Sequence, residues 1–342
     1  MSVYCVQAEK GGFHAKLWRG ERMALLGFDV LAPEDDFVGF AIEVKSPGSR
    51  QYWPLRNRLA FDYNNTGVTG ARVYSSLDAP FQKFRWLHFP KDPRAGTYSY
   101  RVTKMHMPRL ETLVAGTQLV LDLDLDPISL PGFLDVGFTR NFASSQAYAE
   151  RFGNNPNIIP KRAAEGLAFD KSTQNPDVYD WLGFEALALL KETLAKVIAD
   201  PDLSLDVLAY DLNEPDLVAA FEQLGPRLRI VIDDSGEHAE PHSAESLAAE
   251  RLRHKAGPDH VTRTHFIKLQ HHKVLIVSRK GVPEAVVCGS TNFTFRGLYI
   301  QANNLLRFQD PGIAGLFSRM FEVAFTAPET FKDHPLAKMW HA

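Results

Sequence analysis

Two short segments hold the residue types that together handle a phosphate: His271-His272-Lys273-Val274-Leu275-Ile276-Val277-Ser278 and Cys288-Gly289-Ser290-Thr291-Asn292-Phe293. In an extended chain, side chains two apart share a face, so His271 and Lys273 point one way and His272 the other, with Val274 and Ile276. Ser290 and Asn292 share a face by the same rule. Side by side, two such strands bring an imidazole, an ammonium, a hydroxyl and an amide into one pocket. These groups supply a nucleophile or acid, a cation, and neutral donors for non-bridging oxygens. A metal is the competing reading, because His254, His260, His265, His271 and His272 lie close in sequence. Adjacent strand histidines face opposite sides, and no cysteine or carboxylate stands among them at ligand spacing. No metal and no cofactor is therefore expected, and His272 reads as a packed strand histidine.

The elements that must position these residues form an α/β alternation beyond residue 180. Helical spacing runs from Phe184 to Ala199, and Leu203–Tyr210 is a strand. Pro215–Leu224 is a short helix with Pro in its first turn, and Arg227–Asp233 is the next strand. Ser243 caps a helix running to about Lys255. Strands follow at His271–Ser278, Glu284–Cys288 and Asn304–Phe308, and a last helix spans Ile313–Phe325. Before this, Val38–Val44, Tyr98–Val102 and Leu119–Leu125 read as strands, separated by turn signals such as Asn64-Asn65-Thr66-Gly67. The expected organisation is a mainly-β, sandwich-like domain over 1–130 and a linker or loop region over 131–180, with one short helix at Ser144–Phe152. An α/β domain with a mixed sheet flanked by helices follows over 181–342.

Composition bounds the function. The chain has 342 residues, 45% hydrophobic and 23% charged, the make-up of a globular protein long enough for two cores. Its net charge of -3 provides no global field for nucleic acid, so any such binding must be local. Cys5 and Cys288 make no disulfide framework. Met1–Cys5 lack a basic stretch followed by an apolar run, and no apolar stretch approaches the roughly 20 residues that span a bilayer. A cytoplasmic protein with no transmembrane segment is expected.

His-x-Lys, an acidic position five residues after the lysine, and a downstream Gly-Ser-x-Asn resemble the signature of the phospholipase D superfamily, the HKD phosphodiesterases. The resemblance covers the α/β part; the β part looks like the extra N-terminal domain of some bacterial members. It implies metal-independent phosphodiester cleavage, with His271 as phosphohistidine nucleophile or general acid. Lys273 and Asn292 would hold phosphate oxygens, with Ser290 and Gly289 in support. Ser278 stands where relatives carry aspartate, and period two turns it away from His271. Asn303 stands where many relatives place an acid bonded to the histidine's other nitrogen; its carbonyl can accept but carries no charge.

Only one copy of the motif is present, whereas the chemistry uses two histidines. A homodimer sharing His271 across a two-fold axis, a missing second half beyond Trp340-His341-Ala342, or lost activity each accounts for that. The substrate is expected to be a phosphodiester, nucleic acid before phospholipid, because basic residues crowd the approach to the motif. These are Arg251, Arg253, Lys255, Arg263, Lys268, Lys273, Arg279 and Lys280, against the single acid Asp259. A solvated helix face explains the same run equally well. Asp233-Asp234-Ser235-Gly236-Glu237 is a strand-end loop, or an acidic rim opposing nucleic acid. Arg140 and Ser144-Ser145-Gln146 serve capping and loop bonds in preference to a phosphate contact. A non-catalytic phosphate-binding scaffold is the remaining alternative.

Overall fold

Phe13, Ala15 and Leu17 are buried while Lys16 between them is exposed, and this period-two alternation recurs through the first part of the chain. The computed structural model describes residues 4–64, 73–91, 93–126 and 129–338. The turn signal at Asn65-Thr66-Gly67 and the residues at either terminus lie outside these. The chain divides into two compact units, Met1–Ile128 and Ser129–Ala342.

The first unit holds β1 (Cys5–Lys10), β2 (Phe13–Gly20), β3 (Met23–Val30), β4 (Phe37–Lys45), β5 (Trp53–Pro54), β6 (Arg56–Asn57), β7 (Tyr74–Ser75), β8 (Arg85–His88), β9 (Thr97–Arg109) and β10 (Thr112–Asp124). Two antiparallel sheets, ordered β1-β2-β3-β8 and β10-β9-β4-β5, share one core, with β6 and β7 as a separate pair. Phe28 from one sheet meets Phe40 from the other at 4.7 Å between ring centres. Along β10, Leu119, Leu121 and Leu123 are buried while Val120, Asp122 and Asp124 face solvent, the expected one-sided strand.

The second unit is built from β11 (Leu134–Phe138), α1 (Gln146–Phe152), α2 (Asp177–Ala199), β12 (Leu203–Ala209), α3 (Pro215–Leu224), β13 (Leu228–Ile232), α4 (Ala244–Ala256), β14 (Val261–Arg263), β15 (Lys273–Arg279), β16 (Val282–Gly289), α5 (Phe295–Tyr299), β17 (Asn304–Phe308), α6 (Pro311–Thr326) and α7 (Pro335–Lys338). Its sheet is mixed, ordered β11-β17-β16-β15-β12-β13-β14, with only the β12/β13 and β13/β14 pairs parallel. Alternate residues of each strand enter opposite cores. Leu205, Val207, Leu275 and Val277 join the larger core with α2, α3 and α4, while Leu208, Val274 and Ile276 join the smaller one under α6. Ser243 caps α4 as expected, its hydroxyl accepting from Ser246 N at 3.1 Å. α2 begins before the expected Phe184, which marks a kink inside it at φ 46°.

Residues 131–180 are integrated into this unit and are not a linker. β11 pairs along its whole length with β17 as an edge strand, and Tyr148, Ile158, Val178 and Tyr179 are buried in the larger core. A five-residue edge strand followed by 3-10 turns carries no repeat long enough to register as periodicity. Lys171 ties the segment down: its Nζ donates to Glu214 at 2.6 Å, Asp216 at 2.5 Å and Tyr299 OH at 3.1 Å. Glu214 is 1% exposed and also caps α3 through Leu217 N.

Removing the ammonium strands a buried carboxylate. Lys171→Met is expected to lower unfolding free energy by about 3 kcal/mol, and adding Glu214→Gln should recover part of that. Urea unfolding followed by circular dichroism checks it; an unchanged midpoint in the single variant would refute the assignment.

Candidate active site

β15 runs antiparallel to β12, so its first residue lies beside the last residues of β12 and β13. The start of β15, the ends of β12, β13 and β16, and the start of β17 therefore share one edge of the sheet. Lys273, the first residue of β15, is 5% exposed and lies on the face of the larger core. His271 precedes the strand and is exposed. The two meet around Tyr210, just past β12: Lys273 Nζ stands 4.7 Å from the ring centre, and the His271 ring packs edge-on at 4.6 Å. Lys273 Nζ also donates to His271 O at 2.7 Å. His272 faces away, against Phe266 and Phe331, and burial takes its imidazole down to about 4.

Asn292 reaches the same edge because Leu212 bridges to Phe293, and Phe295 N donates to Asn213 Oδ1 at 3.1 Å. Its Nδ2 donates to Asp211 Oδ2 at 2.6 Å, while its Oδ1 is buried without a partner. Ser290 is spent on strand positioning: its hydroxyl donates to Asn303 Oδ1 at 3.0 Å and accepts from Asn304 N at 3.0 Å. Gly289 allows this pairing, since a β-carbon there would stand 2.4 Å from the carbonyl oxygen of Asn304. The side-chain carbonyl of Asn303 accepts from Ser290 and its amide donates to Gly297 O at 2.8 Å. Ser278 is buried at the far end of β15 from Lys273, consistent with a structural place.

The strand-end loop after β13 contributes a group that the sequence reading missed. Asp233, 0% exposed, accepts from His238 Nδ1 at 2.7 Å, from Ser235 N and Oγ, and from Gln270 N at 2.6 Å. His238 Nε2 lies 3.0 Å from Asp211 Oδ1, and its ring packs on Tyr210 at 4.9 Å. An acid within two residues of the end of each of two parallel strands was the available signal, because open α/β sheets place their ligand sites outside the carboxyl ends of the strands. Burial opposes a charge on His238, yet its bonds to Asp211 and Asp233 raise the imidazole to about 10. Burial likewise opposes the Asp233 carboxylate, but His238, Ser235 and Gln270 hold it below its ordinary value. His271 moves the other way, lowered by burial and by Lys273, and burial takes Lys273 down to about 8.

Among the described residues, Asp211, His238 and Glu245 bring donor atoms within 4.8 Å of one another. Both nitrogens of His238 already face carboxylates and Glu245 accepts from Leu212 N, so the group is an ion-pair network. The histidines considered for zinc disperse: His260 bonds Leu228 O and His265 bonds Asp234. Much of the basic run is also committed. Arg251 pairs with Glu222, Arg279 with Asp200 and Glu284, and Lys280 with Asp202, while Arg263 donates to Asp233 O and His238 O. Arg140 lies over Trp181 and Phe184, and Ser145 caps α1.

Residues 194–324 match the family model described as "Cardiolipin synthase, PLD-like domain". Among solved structures, Nuc of Salmonella typhimurium, a phospholipase D family member, is 24% identical, covering 40% of this chain and 86% of that one at a TM-score of 0.32. NucT from Helicobacter pylori is 14% identical, covering 40% and 88% at 0.30. Polyphosphate kinase from Porphyromonas gingivalis is 15% identical, covering 44% and 22% at 0.33. Comparison with curated proteins gives no match. The matched residues contain His271, Lys273, Ser290 and Asn292, so residues 194–324 form a PLD-like domain.

Proposed function

We propose that the chain hydrolyses phosphodiesters without a metal, through a phosphohistidine on His271, with a nucleic-acid strand as the first substrate class. The observation that carries this is an exposed imidazole with lowered proton affinity, set beside the Lys273 ammonium at one sheet edge with Asn292. A nucleophilic imidazole must be unprotonated, and a neighbouring cation favours that state while attracting the diester anion. Lys273 Nζ and Asn292 Nδ2 bind the non-bridging oxygens; Ser290 and Asn303 hold the strand ends that present them. Fixed donors of this kind supply most of the transition-state stabilisation in such sites. Lys268 is exposed three residues before His271, and Arg296 lines the adjoining cleft; these are cations available to a nucleic-acid backbone.

A phospholipid substrate is the second reading, favoured by the loop just before His271. Ile267 is 67% exposed and Leu269 45%, with Lys268 between them. Apolar side chains flanking a cation beside the site suit an anionic lipid surface.

His271→Ala is expected to reduce turnover of bis(p-nitrophenyl) phosphate by about 10³-fold or more, with wild-type turnover unchanged in excess EDTA. Turnover surviving in the variant, or lost to the chelator, would sink the phosphohistidine route. In the pH profile, kcat/KM should rise through a value below 6.5 as His271 loses its proton. It should fall at about 8 as the Lys273 ammonium is neutralised; a profile flat through 9 would contradict that role. Ile267→Asp with Leu269→Asp should leave single-stranded DNA cleavage intact under the first reading. Under the second, the pair of changes abolishes hydrolysis of phospholipid in anionic liposomes.

A further inference from the structure

The geometry points to His238 as the acid that protonates the leaving oxygen, so that a single chain holds both imidazoles of the two-step reaction. This rests on the phosphodiesterase reading above and answers what that reading leaves open, the origin of the second histidine.

His238 and His271 pack on the same phenol ring, at 4.9 and 4.6 Å between ring centres and with interplanar angles of 61° and 67°. Tyr210 thus sets the spacing between them. Asp233 fixes both partners as well. It takes His238 Nδ1–H and also the amide of Gln270, whose Oε1 accepts from His272 N at 2.9 Å. A buried carboxylate on Nδ1 is the arrangement that orients a catalytic imidazole and presents Nε2–H outward. The backbone of His238 is held too, its carbonyl accepting from Ser243 Oγ and Arg263 Nη2, each at 2.7 Å.

His238 lines a cleft of about 620 Å³ together with Asp211, Asn292, Glu245, Arg162 and Arg296. In the free protein, the two oxygens of Asp211 bridge Asn292 Nδ2 and His238 Nε2. Two donors that converge on one carboxylate are the pair that a phosphate oxygen and a leaving oxygen require. The substrate takes these donors from Asp211, and its leaving half lies in the cleft. The proton inventory agrees with the geometry: His271 is biased to the free base and His238 to the cation, the division a nucleophile and an acid need.

In the first step a His271 nitrogen forms the N–P bond while the P–O bond to the leaving group breaks. That oxygen takes the proton from His238 Nε2 and departs as an alcohol, leaving His238 neutral. In the second step a water oxygen attacks phosphorus and gives its proton to His238. The N–P bond breaks, releasing a phosphomonoester and returning His271 neutral and His238 protonated.

The test compares two esters using the full chain. Bis(p-nitrophenyl) phosphate releases a stable phenolate that needs little acid help, and diphenyl phosphate releases a much more basic one. His238→Gln is expected to slow diphenyl phosphate by about 10²–10⁴-fold and bis(p-nitrophenyl) phosphate far less. His238→Arg, which keeps a cation between the two carboxylates, should show the same leaving-group bias and carries the test if the Gln variant fails to fold. Equal losses on both esters, or full activity in His238→Arg, would overturn the proposal, as either makes the residue structural or electrostatic. Mixing His271→Ala with His238→Gln protein should restore nothing; restored turnover would place nucleophile and acid on different chains. If wild type hydrolyses neither ester, nor DNA nor phospholipid, the phosphodiesterase reading falls first. Activity that needs His271 but not His238 removes this inference alone.

Discussion

The site depends on one buried anion. Asp233 has no contact with water, and a carboxylate in that position is tolerable only when every lone pair is answered. Its partners come from two places: the loop after β13 supplies Ser235 and His238, and the segment before β15 supplies Gln270 N. Meeting that requirement draws together chain segments more than 30 residues apart in sequence and fixes both histidine-bearing stretches at the sheet edge. Gln270 extends the constraint, with its side chain bonding Val231 O and His272 N. The need to satisfy one charge thereby fixes the geometry of the two imidazoles.

The direction of the strands determines why those segments meet. β12 and β13 are parallel and both end at the site, so Tyr210, Asp211 and Asp233 arrive at one edge. β15 runs against β12, so the residues before it arrive at that same edge from the opposite sense. β16 reverses again, bringing Gly289 and Ser290 back beside β17. A motif split between the start of one strand and the end of its hairpin partner is contiguous in space only in this arrangement. Alternation also explains why His271 and Lys273 belong to the site while His272 packs with the aromatics of the opposite core.

Much of this was legible because it rests on local periodicity. α3 and β17 occupy the expected spans, and Ser243 caps α4, since Pro at a first turn, serine before a helix and alternating apolar residues act over a few positions. That His271, Lys273, Ser290 and Asn292 come to one edge of the sheet was legible from type and spacing. What escaped was non-local. β11 is too short to show a pattern, and it becomes a strand only because β17 leaves an edge for it. Most of the basic run turned out to be structural, because the acids that neutralise it, such as Asp200, Asp202 and Glu222, lie upstream of that run. His238 escaped for the same reason: nothing around it in sequence marks it, and its role comes from two acids that follow different strands.

Position 303 carries no carboxylate in this chain. A carboxylate on the other nitrogen of His271 would raise that imidazole's affinity for a proton. Asn303 brings no charge, and its carbonyl is taken by Ser290. Beside His271 stands a cation instead, the Lys273 ammonium, which favours the free base. The negative charges sit on Asp211 and Asp233, either side of His238, where they favour its protonated form. Burial and Lys273 lower the one imidazole while Asp211 and Asp233 raise the other, so two chemically identical side chains on one tyrosine ring are biased in opposite directions. A site with a single His-x-Lys has no second motif to create that asymmetry, and the distribution of carboxylates at this sheet edge supplies it within the chain.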